Sequence, residues 1–407
     1  MTSTAPRGSV LEVLWVFLRL GLTSFGGPVA HLGYFRSELV QRRQWLDDQS
    51  YSDLVALCQF LPGPASSQVG MALGLRRAGW WGALAAWLGF TLPSALVLML
   101  CAYGVAQWSA LAASGGVQGL KVAAVAVVAQ AVWGMAKSLC PDRLRAGMAV
   151  GAALWVLAVP GSAGQVGAMV LGGLLGHWAL PSQPPVPALP AQGYGVGRRT
   201  GALLLVLCAA LLLALPWAVA PDSAPLLRAS AAFYQAGALV FGGGHVVLPL
   251  LQSAVVPEGL IDNGAFLAGY GAAQAMPGPL FAFAAYLGVL LPGSAGGGLG
   301  GVWSSLWAGL ALLVAVFLPG FLLLVGALPF WDALRQRGGV QRAMGGINAA
   351  VVGLLLAALY DPVWVSAIHS RADFALALAA FGLLVYGRVS AVWVVVLAGA
   401  AGWLMAL

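Results

Sequence analysis

Charge is nearly missing from this sequence: 19 Lys and Arg with 12 Asp and Glu make up only 8% of 407 residues. A soluble domain devotes about a quarter of its residues to charge, so a water-facing surface of this length is excluded. Cysteine is scarce too. Cys58, Cys101, Cys140 and Cys208 stand singly, which excludes a disulfide framework and the paired spacing of a zinc site. No Gly-x-x-x-x-Gly-Lys-Ser/Thr pattern occurs, so ATP hydrolysis by a P-loop is excluded. The acids fall mostly outside the apolar runs, which leaves a membrane enzyme acting on lipid phosphate without convergent carboxylates. Neither a metal nor an organic cofactor is expected. Arg7 precedes the first apolar stretch, but no small-residue cleavage site follows. That stretch is expected to be retained rather than removed as a signal peptide.

Apolar residues fill the space that charge leaves. They are 61% of the chain, with a mean hydropathy of +0.91. Runs of about 20 apolar residues recur from end to end, each enough to cross roughly 30 Å of hydrocarbon. Backbone in lipid must satisfy its own hydrogen bonds, as helices or as a closed barrel. Residues 201–220, 374–386 and 392–407 are continuously apolar and lack the alternation of barrel strands. An all-α polytopic membrane protein follows, with the lipid bilayer as its surroundings. The net charge of +7 sits on cations flanking the runs, so it sets topology rather than binding nucleic acid.

The chain repeats itself. Ser24-Phe25-Gly26-Gly27-Pro28, Gln59-Phe60-Leu61-Pro62-Gly63-Pro64, Thr91-Leu92-Pro93 and Gly119-Leu120-Lys121 follow one another in the first half. Val240-Phe241-Gly242-Gly243-Gly244, Gln274-Ala275-Met276-Pro277-Gly278-Pro279, Phe317-Leu318-Pro319 and Gly346-Ile347-Asn348 follow in the same order in the second. Spacing holds apart from a Gly-rich insertion near residues 293–301. The sequence therefore divides into a first repeat (1–180), a cytoplasmic Pro/Gly-rich linker (181–199), a linking span (200–220) and a second repeat (221–407).

A single extra span between two copies turns the second upside down. Charge placement agrees. Arg36, Arg42, Arg43, Arg76 and Arg77 follow the breaks of the first copy, whereas the equivalent stretches of the second hold Glu258 and Asp262 and no cation. With positive residues inside, the repeats are inverted, the N-terminus is cytoplasmic and the C-terminus outside. This trace makes the Gly-Gly and Pro-Gly-Pro segments broken or re-entrant hairpins, and counts about nine full spans plus four such segments. It assigns Arg388, between the last two spans, to the cytoplasmic side. Ordinary crossings at Gly26-Gly27 or at Pro62-Gly63-Pro64 are the alternative.

Phe25-Gly26-Gly27-Pro28, Gln59-x-x-Pro62-Gly63-Pro64 and their second copies resemble the chromate ion transporter family, in its long form with two fused repeats. The resemblance covers essentially the whole chain. It implies a secondary transporter of the bacterial inner membrane. Such a protein exports chromate from the cytoplasm, confers chromate resistance, and is powered by the membrane potential or a proton gradient. The residues alone do not name the substrate, and a permease for sulfate or another tetrahedral oxyanion is the alternative. Homo-oligomer and monomer both stay open.

The breaks are where an anion would bind. Gly permits unwound backbone and Pro opens a new helix, so each break starts a half-helix whose free N–H groups attract negative charge. Ser24, Ser66 and Ser67 add hydroxyl donors, and Gln59 and Gln274 add amides. Gly242, Gly243, Gly244, Pro277, Gly278 and Pro279 repeat the pattern without those hydroxyls, which makes the first copy the better-equipped half. Lys121 is a cation well within a span, mated to the neutral Asn348, and is expected to face a cavity or a partner. The plain alternatives are that Gly and Pro merely kink packed helices, that Ser caps them, and that Lys121 snorkels.

Overall fold

The computed structural model describes residues 8–107, 115–181, 194–220, 222–241, 246–293 and 298–405. Most of the linker, Gly242-Gly243-Gly244 and part of the Gly-rich insertion lie outside these residues. Every regular element among the described residues is helical.

Helices α1 (Val10–Thr23) and α2 (Gly27–Phe35, running on as a π-helical turn, Arg36–Arg42) form the first hairpin. Helix α3 (Asp48–Phe60) and the start of α4 (Ala65–Gln107) form the second. Caps start them: Ser9 Oγ accepts from the Glu12 amide at 3.0 Å, and Asp47 from the Ser50 amide at 2.8 Å. Both hairpins return to the face they left. The Glu12 carboxylate, in the first turn of α1, lies 3.2 Å from Arg77 Nη2 and 3.9 Å from Arg43 Nη1, while Arg36 Nε donates to Asp48 at 2.7 Å. The open alternative of ordinary crossings therefore falls. At Ala78 and Gly79 the helical dihedrals of α4 break, and a long second half crosses.

Helices α5 (Gly115–Leu139), α6 (Arg143–Ala158) and α7 (Ser162–Ala179) complete the first copy, and α8 (Arg198–Ala218) links the two. The second copy repeats the plan. Helices α9 (Pro225–Leu239) and α10 (Val247–Val255) form its first hairpin, closed by the Arg228–Glu258 ion pair. Helix α11 (Asn263–Gln274), a 3₁₀ turn at Leu280–Ala282 and α12 (Phe283–Val289) form its second, closed by Tyr286 donating to the Ala265 carbonyl at 3.1 Å. Asp262 caps α11 as Asp47 caps α3. Then come α13 (Gly298–Ala327), α14 (Gly338–Ala358), α15 (Arg371–Val385) and α16 (Ala391–Met405).

The copies are antiparallel. Along α4 and its counterpart α13, Trp80 meets Phe321 (ring centroids 6.2 Å apart), Trp87 meets Phe317 (5.7 Å), and Met99 meets Gly309. The numbers rise on one helix as they fall on the other. The hairpin tips meet reciprocally: Gly278 N donates to Ser24 O at 2.9 Å, and Gly63 N to Val240 O at 2.7 Å. Ser24 is the repeat mate of Val240 and Gly63 of Gly278, so these are one contact made twice about a pseudo-two-fold axis. The last helices are exchanged as well, α5 packing on α15 and α16, and α14 on α6 and α7. Glycine permits that approach: a Cβ on Gly119 would run into the Ala398 carbonyl, and one on its mate Gly346 into the Gly172 carbonyl.

By length and composition, 5 described helices can cross a membrane, α8 among them. The remaining expected spans, α6, α7, α15 and α16, have 15 to 18 residues. At 1.5 Å per residue that is about 22–27 Å, a little short of a typical hydrocarbon core. They come as pairs packed on the long helices α14 and α5.

Candidate functional site

The first break starts a helix. Gly26 (φ +96°) and Gly27 (φ +78°) take conformations that side chains rarely adopt. Pro28 opens α2, and no side chain caps its N-terminus. Its first-turn amides have no side-chain cap among the described residues, and the macrodipole makes them weakly positive. Gly26 is exposed to a cavity of about 240 Å³.

The opposite wall belongs to the other copy: the end of α11 at Gln274, then Met276, Gly278 and Leu280. Gln274 Nε2 is buried. Val127 and Gln130, from the middle of α5, line the cavity too. The α15–α16 turn closes the rim with Arg388, Val389 and Ser390. Among the described residues Arg388 is the only charged one lining the cavity, and it is exposed. The cavity brings together one guanidinium, two side-chain amides, a hydroxyl and a helix N-terminus, groups that attract negative charge.

The better-equipped half was expected in the first copy; this cavity is lined from both copies. One copy supplies its first break and the other its second. Gly26, Gly27, Pro28, Gln274 and Gly278 come together here, beside Phe25 and Pro277, both half-buried, and Pro279, which is buried. The other candidates lie elsewhere. Ser24 is fully buried, its carbonyl spent on Gly278. Gln59, the mate of Gln274, is exposed away from the cavity. Pro62, Gly63 and Pro64 dock on α13 through Gln68, whose Nε2 donates to Pro62 O at 2.9 Å and to Gly320 O at 3.0 Å. Ser66 and Ser67 are buried, Ser66 Oγ lying 3.4 Å from His31 Nδ1 and Ser67 Oγ having no partner. Lys121 lies outside the cavity, beside Asp262 and Gly264 at the start of α11. Asn348 is half-buried with its Oδ1 unpartnered. Gly242, Gly243 and Gly244 fall outside the described residues.

Gln130, Arg388 and Ser390 were not among the candidates. Their signal was weak but present. Gln130 interrupts the apolar run of α5, and Arg388 is a lone cation between two apolar helices.

Arg36, Arg42, Arg43 and Arg77, which follow the breaks of the first copy, pair with acids. Arg42 and Arg43 hold Glu38 at 3.0 and 2.7 Å, and Arg77 stacks over Trp45 at 5.3 Å. Burial pushes the Glu38 carboxyl up, but the hydrogen bonds from Arg43 and Arg42 outweigh it and leave it low. Hydrogen bonds from the Ser50 amide and hydroxyl lower Asp47, and Arg36 lowers Asp48.

The family model for the chromate transporter matches residues 11–177 and again 227–403. The chain belongs to the chromate transporter family. A chromate transport protein of Pseudomonas aeruginosa is 31% identical over 98% of this chain and 93% of its own length. Another from Cupriavidus metallidurans is 27% identical over 88% and 83%, and a probable one from Synechococcus elongatus 26% over 87% and 84%. No solved structure matches this transporter. Both matched stretches contribute to the cavity, the first through Gly26–Pro28 and α5, the second through Gln274–Leu280 and Arg388.

Proposed function

We propose that this membrane protein is a secondary transporter that exports chromate from the bacterial cytoplasm through the composite cavity. The observation that carries the reading is the cavity's chemistry: a helix break without a side-chain cap and a guanidinium line one space, and among the described residues no acid lines it. Its volume, about 240 Å³, holds a tetrahedral oxyanion with several waters at ~30 Å³ each. The relatives that are named for a substrate are named for chromate transport.

The charge layout supports an inner-membrane orientation. Arg36, Arg42, Arg43 and Arg77 gather on the face where the first copy's hairpins begin, and Arg228 pairs with Glu258 on the other. Positive residues inside put the first face, with the N-terminus, in the cytoplasm and the C-terminus outside. The α15–α16 turn stops beside the middle of α5. Export is also the downhill direction electrically. With the inside negative, a departing dianion gains about 2.3 kcal/mol per charge per 100 mV.

The test is uptake of labelled chromate into inverted membrane vesicles, with sulfate as competitor. Collapsing potential and pH gradient separately identifies the driving force. Concentrative uptake that sulfate fails to displace is the expected result. Uptake of sulfate at equal or higher efficiency would make the protein a sulfate permease, and uptake of neither anion would refute the reading.

A further inference from the structure

We propose that Arg388 is the residue that recognises the anion's charge, and that the transporter holds one such site per chain in spite of its two-fold frame. The inference rests on reading the composite cavity as the anion site.

Three observations converge on Arg388. Among the described residues it is the only charge lining the cavity, and it forms no ion pair with any of them. An arginine held against the apolar middle of a transmembrane helix without a carboxylate lacks its usual compensation. A bound dianion supplies it, through a planar fork of donors that suits an oxyanion better than a lysine does. Its backbone is in the left-handed region, φ +51°, and only Gln44 among the other described non-glycine residues shares that property. Glycine would sit there at no steric cost, and Gly387 precedes it. A side chain kept in that conformation at a cavity rim is held for what it does.

The frame is symmetric where these side chains are not. The register that pairs Gly119 with Gly346 pairs Gln130 with Ala357, which is buried. The register that pairs the caps Asp142 and Ser370 sets Arg388 opposite Pro160. The two-fold mate of the cavity therefore loses its guanidinium and one amide together, and what the duplication repeated in backbone is not repeated in charge.

The experiment is equilibrium binding of sodium chromate, and separately of sodium sulfate, to the purified full-length protein in detergent. Wild type is compared with Arg388→Gln, Arg388→Lys and Arg388→Gly, with thermal stability read on the same samples. Wild type should bind one oxyanion per chain. Arg388→Gln and Arg388→Gly should bind about 10- to 100-fold more weakly, as expected for losing a hydrogen bond to a charged partner. Arg388→Lys should fall between. Because glycine relieves the left-handed backbone, Arg388→Gly should keep or gain thermal stability while losing affinity, which a structural arginine would not do. Wild-type affinity in the Gln and Gly variants would overturn the assignment and leave the transport reading standing. A loss of stability in Arg388→Gly that tracks the loss of binding would make the arginine part of the frame and also overturn it. Two equivalent sites per chain would overturn the single-site claim, and a wild type that binds neither anion would overturn this inference and the anion reading of the cavity together.

Discussion

Gly63 and Gly278 offer a controlled comparison, because they are repeat mates with the same backbone duty and different surroundings. Both have positive φ, +120° and +95°, and each donates its amide across the two-fold to the other copy. A Cβ at Gly63 would lie 2.9 Å from Gln68 Nε2 and 3.1 Å from Gly320 Cα, and one at Gly278 would lie 2.9 Å from Ser94 Oγ and 3.1 Å from Phe90 O. Placing alanine in the left-handed region costs roughly 1–2 kcal/mol, and forcing close-packed neighbours aside costs about 1–3 kcal/mol more. Each alanine variant should therefore lose about 2–5 kcal/mol, and to a similar degree. Anion affinity should separate them. Gly278 lines the cavity and Gly63 does not, so Gly278→Ala should weaken chromate binding in the fraction that stays folded, and Gly63→Ala should leave it near wild type. The assay is thermal unfolding in detergent alongside chromate titration of the same preparation. Wild-type stability in Gly63→Ala would refute the assigned backbone, and equal loss of affinity in both would refute the placement of the site.

Two further predictions concern topology and acid. Reporter fusions after Arg199 and after Arg342 should read as cytoplasmic and fusions after Glu258 as external; Glu258 on the same side as Arg42 would refute the proposed orientation. The lowered carboxyls of Asp47, Asp48 and Glu38 stabilise the folded state fully above the free-carboxyl range of about pH 4, and that stability is lost as pH falls through their lowered folded values. Asp47→Asn should flatten the acid limb of a melting-temperature profile, and an unchanged profile would remove the cap from the account.

Much of the frame was legible because helix breaks are written in residues with few conformational options. Gly26-Gly27-Pro28 and Pro62-Gly63-Pro64 announce unwound backbone, and their repetition as Pro277-Gly278-Pro279 announces the duplication. The absence of cations around Glu258 and Asp262, set against the arginines at 36, 42, 43, 76 and 77, announced the inversion. What could not be read was which break would face which. The pairing of the first break of one copy with the second of the other follows from hydrogen bonds between residues more than 170 positions apart, Ser24 with Gly278 and Gly63 with Val240. Local pattern carries no trace of them. The serines illustrate the cost. Ser66 and Ser67 have the right chemistry for an oxyanion, but they open a half-helix that packs inward, and both are buried. Lys121 has the right charge, but the structure sets it beside Asp262.

Arg388 shows why charge placement alone is an incomplete guide in a membrane protein. A cation between two apolar helices reads as a loop residue on the cytoplasmic side, and the positive-inside rule accounts for it without remainder. That rule assumes that both helices cross completely. Helix α16 runs antiparallel to α5, with Gly402 against Gly115 and Ala398 against Gly119, so its first residue, Ala391, stands opposite the middle of α5 rather than its end. The turn before it consequently reaches Val127 and Gln130, and the residues of α5 beyond them continue past it to Leu139. Helix length, not hydropathy, decides the matter: α15 and α16 have 15 residues each where α5 has 25. A shortened pair packed on a long helix carries its connecting turn inward, and a cation in that turn then lines the cavity.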